Sequence, residues 1–184
     1  MDTRLLLALA TGVGIAAACG LRAFLPLLVV GLAARFELLH LRPEVAWLAG
    51  DPALWALGAA TVLEVAGDKI PVVDHALDAL GTVVRPAAAW VATYAVLQGW
   101  GTPWAQLVAL MLGAGALAVH GVKAKTRLGS TALTLGHANP LLSVLEDVAS
   151  VALAVLGVLL PLLALALGVA LVWAVVRRRR RARA

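Results

Sequence analysis

Residues 5–34 form an apolar run interrupted by a single charge, Arg22. As one helix the run would be about 45 Å long, beyond the roughly 30 Å hydrocarbon core of a bilayer, so it must tilt or break. Gly20, Arg22 and Pro26 lie at its middle, and a proline inside a helix removes a hydrogen bond and crowds the preceding turn. The pattern predicts a discontinuous helix whose two pieces meet between Cys19 and Pro26. Arg4, the apolar stretch after it and the small residues before Cys19 also fit an export signal. Against that, the chain stays apolar immediately afterwards, where a mature soluble domain would not.

The remainder of the chain calls for the same solvent. Of its 184 residues 62% are hydrophobic and 14% charged, with a mean hydropathy of +0.96, whereas soluble domains are about 45–50% apolar and about 25% charged. At roughly 20 residues per crossing the chain has room for five or six. The reading is a single polytopic transmembrane domain over residues 1–176, followed by a basic cytoplasmic tail over residues 177–184. Cys19 is the one cysteine, which excludes an intrachain disulfide and a cysteine-built zinc site.

Residues 35–52 mix charges with Leu38, Leu39, Leu41, Val45 and Trp47, as suits a segment lying in the interface. Residues 53–65 are the next crossing, and residues 64–78 are charged. Arg85-Pro86 opens a helix ending near Gln98, residues 99–103 turn, and residues 104–119 cross back. Residues 120–139 form a second polar connection. Residues 140–176 are too long for one straight span, and Gly157 and Pro161 mark a place to turn. The fold expected is an all-α membrane protein of about six transmembrane or re-entrant helices, some broken.

Orientation follows from the distribution of Lys and Arg. A cytoplasmic tail with alternating crossings places Arg4, Lys69, Arg85, Lys123, Lys125 and Arg127 on the same side and leaves Arg35 and Arg42 outside, the positive-inside pattern. This parity requires residues 5–34 to cross once and both termini to be cytoplasmic. Trp47, Trp55, Trp100 and Trp104 then fall at the outer interface, and Trp90 and Trp173 at the inner one.

The chain also carries a weak internal repeat. Glu64 and Lys69 match His120 and Lys125 at an offset of 56, and Pro86 matches Pro140 at an offset of 54. Residues 76–84 and 131–135 are too short to span but long enough for re-entrant half-helices. Interrupted repeats of this kind mark binding sites in many transporters.

An ionised side chain within a membrane segment costs about 2.5–3.5 kcal/mol on insertion scales, so Arg22, Glu64, His120, Glu146 and Asp147 need partners or a function. Glu64 and His120, at matching repeat positions, are expected to face one another as a carboxylate–imidazole pair able to bind or relay a proton. Glu146 and Asp147 lie inside the helix that starts at Asn139-Pro140, with Arg22, Lys69, Lys123, Lys125 and Arg127 as candidate ion-pair partners. Asn is a favoured N-cap and Pro a favoured first helical residue, so that helix start would point free N–H groups into a cavity. Asp74 and Asp78, at i and i+4, share a helix face and are the weak candidates for a Mg²⁺ site. No Ser-His-Asp order, phosphate loop or HExxH motif is present, so no catalytic residue and no cofactor are expected. The arginine tail reads as a topology anchor attractive to anionic lipid rather than as a nucleic-acid-binding surface.

Taken together, Gly20-Leu-Arg-Ala-Phe-Leu-Pro26 with residues 31–35, residues 64–74, Arg85-Pro86, residues 120–127 and Asn139-Pro-Leu-Leu-Ser-Val-Leu-Glu-Asp147 resemble a bacterial family of small polytopic membrane proteins known only as a domain of unknown function. The resemblance covers nearly all of the chain except the tail. It implies a multi-pass protein of the bacterial inner membrane and no particular substrate or reaction.

The function expected is that of a small inner-membrane transporter or channel for an ion or small solute. Its polar site would comprise Arg22, Glu64, His120, Asn139, Glu146 and Asp147. The alternative is a non-catalytic membrane protein that binds lipid or a partner, and the third reading is a Mg²⁺-dependent lipid-modifying enzyme. The lipid bilayer is the expected partner, a homo-oligomer is compatible with the Gly-rich crossing through Gly113, Gly115 and Gly121, and nucleic acid is not expected.

Overall fold

A computed structural model describes residues 2–134 and 137–163 and residues 166, 170 and 173, with the backbone alone at residues 71, 72, 74 and 75. Its helices are α1 (Thr3–Leu21), α2 (Phe24–Arg35), a 3-10 helix (Pro43–Ala49), α3 (Asp51–Gly67), α4 (Pro71–Val96), α5 (Thr102–Thr134) and α6 (Asn139–Leu159). Among the described residues every regular element is helical. Among the described residues α1, α5 and α6 are each long and apolar enough to cross a membrane, and the 3-10 helix and α3, bent by 63°, pass the same test only as a pair, as a broken span or a re-entrant loop. Apolar helices of this kind make the chain an all-α membrane protein, since helices satisfy every backbone polar group internally where water is absent.

The central helix is α1, packed against α4, α5 and α6. Small residues allow this. Ala10, Ala18, Ala89, Ala92, Ala109 and Ala154 are wholly buried, and helix association inside a bilayer relies on such close backbone approach rather than on a hydrophobic gradient. Gly20 marks close approach to α5: a Cβ there would lie 2.6 Å from Val119 Cβ and 2.7 Å from the Ala116 carbonyl oxygen. Gly113 meets the Pro86 carbonyl of α4 in the same way, at 2.8 Å. Ser150 Oγ on α6 donates to the Ala18 carbonyl at 3.1 Å, and Thr93 Oγ1 on α4 to that of Gly12 at 3.5 Å.

The helix break is present, with Arg22 extended (φ −138, ψ 133) between α1 and α2. The expected single crossing by residues 5–34 is not. Trp100 Nε1 donates to the Leu5 carbonyl at 3.4 Å, and Gly99, at φ +75, packs on Leu5. Beyond α2, Arg42 donates to the carbonyls of Leu97 at 3.1 Å and Trp100 at 2.8 Å and lies 4.7 Å over the Tyr94 ring. The start of the first apolar block and Arg42, beyond α2, therefore both meet the α4–α5 turn, so the chain reverses direction between α1 and Arg42. The N-terminus shares an end of the bundle with Gly99 and Trp100, correcting the parity that placed Arg4 opposite them. The physical reason is that a charged residue at a break lets the chain reverse, which residue counting treats as continuation.

Other boundaries also differ. Pro86 lies inside α4 rather than opening a helix, and residues 76–84 are part of α4, not a separate half-helix. Residues 131–134 likewise continue α5; residue 135 lies outside the described residues. Glu64 closes α3 whereas His120 sits well inside α5, so the sequence repeat does not carry over into matching element boundaries. The turn expected at 157–161 coincides with the end of α6 at Leu159. The second crossing expected from residues 140–176 and the basic tail lie, apart from the few residues named above, outside the described residues.

Candidate functional site: a buried charge cluster at the helix break

A broken helix exposes carbonyls at the end of its first piece and N–H groups at the start of its second, and partial charges of opposite sign gather at the two ends. Here each end meets the complementary full charge. The Glu64 carboxylate accepts from Ala23 N at 3.0 and 3.1 Å and from Phe24 N at 3.2 Å. It thereby caps α2, whose own N-cap residue, Ala23, supplies no side-chain bond. At the other end Arg85 Nη1 donates to the Gly20 carbonyl at 3.3 Å and Lys123 Nζ to that of Leu21 at 3.4 Å.

Arg22 stands in the break itself. Its Nη1 is ion-paired with Asp68, its Nη2 donates to Ser143 Oγ at 2.9 Å, and its Nε approaches Asp147 Oδ1 at 2.6 Å without hydrogen-bond alignment. Arg127 grips Glu146 in a fork, Nη2 to Oε2 at 2.6 Å and Nε to Oε1 at 3.3 Å, and Nη2 also reaches Asp68 at 2.9 Å. Arg85 contacts Glu64 and Asp78, each at 3.8 Å. Lys123 lies between Glu146 at 3.1 Å, Asp68 at 3.7 Å and Asp78 at 4.0 Å. Burial pushes the Asp68 carboxyl up, yet Lys123, Arg22 and Arg127 around it outweigh burial and hold it below the ordinary aspartate value.

The two signs differ in access. Side chains of Arg22, Arg85, Lys123 and Arg127 are 0%, 1%, 1% and 5% exposed, while those of Asp78, Asp147 and Glu146 are 23%, 18% and 14% exposed. These cations are sealed inside together with the Asp68 and Glu64 carboxylates, and Asp78, Glu146 and Asp147 form the more accessible rim.

Of the residues expected to make a site, Arg22, Glu64, His120, Glu146 and Asp147 are brought into this one network. Asn139 is not. It is the first residue of α6, its Nδ2 donates to Thr131 Oγ1 at 2.9 Å, and the N-cap position belongs to Ala138 without a side-chain cap. Glu64 and His120 do not face one another, because Arg85 stands between them and donates to His120 Nδ1 at 2.8 Å. Lys123 and Arg127 are the ion-pairing members of the basic set; Lys69 donates to its own Val65 carbonyl at 2.9 Å, and Lys125 is exposed. Asp78 is engaged by Arg85 and Lys123, and the Asp74 side chain lies outside the described residues. Among those residues no group of three or more His, Cys, Asp or Glu is arranged to hold a metal ion.

Sequence reasoning missed two members. Asp68, wholly buried, receives Arg22, Lys123 and Arg127 but sits in a stretch that reads as a polar connection. Arg85, equally buried, precedes Pro86, which reads as a helix start. The seven-residue spacing of Asp78 and Arg85, two turns on one helix face, was the available signal.

A family model described as Domain of unknown function (DUF4126) matches residues 9–181. Comparison with curated proteins and with solved structures found no match.

Proposed function

The chain belongs to the DUF4126 family, whose function is unknown, and from that premise we propose that it is a small membrane transporter or channel for an ion or small solute, with the charge cluster as its site. The observation that carries this reading is the helix break at Arg22, where Glu64 caps one half-helix and Arg85 and Lys123 cap the other. Discontinuous helices whose ends meet charged groups are how secondary transporters build substrate and ion sites, and buried ionisable groups are too costly to keep without a role. The charged end, which carries Lys69, Lys123, Lys125 and Arg127, is the cytoplasmic one by the positive-inside rule, in a bacterial inner membrane.

The test is reconstitution in liposomes with proton and monovalent-cation flux recorded for the native chain, Glu146→Gln and Asp147→Asn. Flux lost in variants that remain folded supports the reading. Absence of flux from the folded native chain across these ions overturns ion transport.

A second reading, a non-catalytic protein that binds lipid or a partner, draws on one observation: Arg22, Arg85, Lys123 and Arg127 each have at least one carboxylate partner, as a purely structural network would. It predicts that the same substitutions lower the yield of folded protein. A Mg²⁺-dependent enzyme gains no support from Asp78, whose carboxylate faces cations of the protein itself.

A further inference from the structure

Arg85 bonds neutral acceptors while two carboxylates stand just out of reach. Its Nη1 donates to the Gly20 carbonyl at 3.3 Å and to His120 Nδ1 at 2.8 Å, whereas Glu64 and Asp78 each lie 3.8 Å from Nη2. Arg85 Nε and Asp78 Oδ1 are both buried without a hydrogen-bond partner. A guanidinium bonds most strongly to a carboxylate, so a second arrangement of Arg85 lies close at hand. Gly81 leaves room beside it: a Cβ there would lie 2.9 Å from Arg85 Nε and 3.3 Å from His120 Cε1.

The protonation state of His120 holds the present arrangement. A guanidinium has donors only, so Nδ1 accepts from Arg85 and the imidazole is neutral, with its proton on Nε2. An imidazolium has donors on both nitrogens and would set cation against cation at that contact. The charged groups around the ring are Arg85 and Asp78 of α4 and Lys123 of its own helix. Glu64 and Arg22 lie within range of Arg85, and α1 brings the buried Cys19 thiol at this level. Among the described residues the cluster sets five carboxylates against four guanidinium and ammonium groups, which leaves a negative charge for a proton to balance.

We propose that His120 is a proton site and Arg85 its switch: protonation of the imidazole turns the guanidinium from His120 and Gly20 onto Glu64 and Asp78. The step adds one proton from water to Nδ1 and breaks no covalent bond. Its consequence falls on the helix break. Once Arg85 leaves, the Gly20 carbonyl loses its donor, and of the two cationic caps on α1 only Lys123 at the Leu21 carbonyl remains. A histidine whose charge biases a two-position contact is the physical basis of a pH switch. That the switch gates a solute path rests on the transport reading above; that Arg85 leaves a protonated His120 does not.

Two measurements on the purified full chain in detergent, between about pH 8 and about pH 5, test this. The first is the ¹⁵N spectrum of labelled histidine, with the His120 signal identified by its loss in His120→Gln. At the alkaline end His120 should be neutral with its proton on Nε2, and acidification should convert it to imidazolium. The second is amide hydrogen exchange over residues 18–24, compared at each pH with His120→Gln, which keeps an acceptor for Arg85 and takes no proton. Exchange should match in the two proteins at the alkaline end and be about tenfold or more faster in the native chain at the acid end. A neutral His120 with its proton on Nδ1, a His120 that stays neutral throughout, or imidazolium formation with no change in relative exchange each overturns the proposal. If His120→Gln does not fold, a chain with His40, His75 and His137 replaced by Gln isolates the His120 signal, and exchange over residues 18–24 is referred to residues 104–112 of the same chain. Neither readout needs flux. A switch seen without liposome flux therefore ends the transport reading and leaves this one standing, and flux with a pH-insensitive Arg85 contact does the reverse.

Discussion

The guanidinium of Arg22, in the break between α1 and α2, is ion-paired with the Asp68 carboxylate in the turn between α3 and α4, and neither side chain is exposed. The pair ties a discontinuity in the first span to residues 46 positions later. Removing one partner of a buried pair costs about 3–5 kcal/mol, because the remaining charge stays buried. Arg22→Met and Asp68→Asn are each expected to destabilise by that amount, with the double variant less damaged than the singles add up to. Chemical denaturation in detergent of the three variants checks this. Arg22→Lys should not restore stability, since an ammonium cannot reach Asp68, Asp147 and Ser143 together in the arginine geometry.

Glu64 closes the N-terminus of α2 from another helix. Glu64→Ala leaves the Ala23 and Phe24 N–H groups buried without acceptors, at about 1–3 kcal/mol for each such group. Amide hydrogen exchange at Ala23 and Phe24 should accelerate strongly in Glu64→Ala and less in Glu64→Gln, which keeps an acceptor oxygen. Unchanged exchange at both amides would show that something else caps the helix.

Two glycines on neighbouring helices should respond with opposite sign. Gly20→Ala drives a Cβ to within 2.6 Å of Val119 and 2.7 Å of a backbone carbonyl, and overpacking of this kind costs about 1–3 kcal/mol. At Gly115 a Cβ meets nothing within 4 Å, so Gly115→Ala should stabilise by about 0.5–1 kcal/mol through lower backbone entropy in the unfolded chain. Melting curves of the two variants beside the native chain decide it.

Asp68 predicts the acid limb of stability. Its carboxyl is held below the ordinary aspartate value despite burial, so the native state binds its proton less readily than the unfolded state. Its contribution is then fully present above the unfolded value, near pH 4, and is lost as pH falls through the lower folded value. A pH series of melting temperatures should show Asp68→Asn lacking the part of the decline below about pH 4 that the native chain shows.

Much of the fold is legible from local chemistry. The length and apolarity of residues 5–34 announce a break, and Gly20, Arg22 and Pro26 locate it; the structure has it at Arg22. Five of the six residues singled out for a polar site, Arg22, Glu64, His120, Glu146 and Asp147, lie in one network because a bilayer makes each isolated charge too costly to leave alone. Asn139 shows the limit. Its pairing with proline reads as a cap, yet the side chain turns to Thr131, and a cap depends on backbone geometry that the dipeptide does not specify. Arg85-Pro86 shows it again, because a proline tolerated within α4 and one that begins a helix look the same in sequence.

The apolar character, the helical class and the residues that must find partners are legible segment by segment, since they follow from transfer free energies and chain length that each segment carries alone. Direction and pairing came from long-range packing. That the chain reverses between α1 and Arg42, that Arg85 separates Glu64 from His120, and that Asp68 joins Arg22, Lys123 and Arg127 are outcomes of close approach between α1 and its neighbours. That approach is permitted by glycine and alanine at contact points such as Gly20, Gly113 and Ala116. Packing of small residues against distant helices is a property of pairs of surfaces, and no single stretch of the chain contains it.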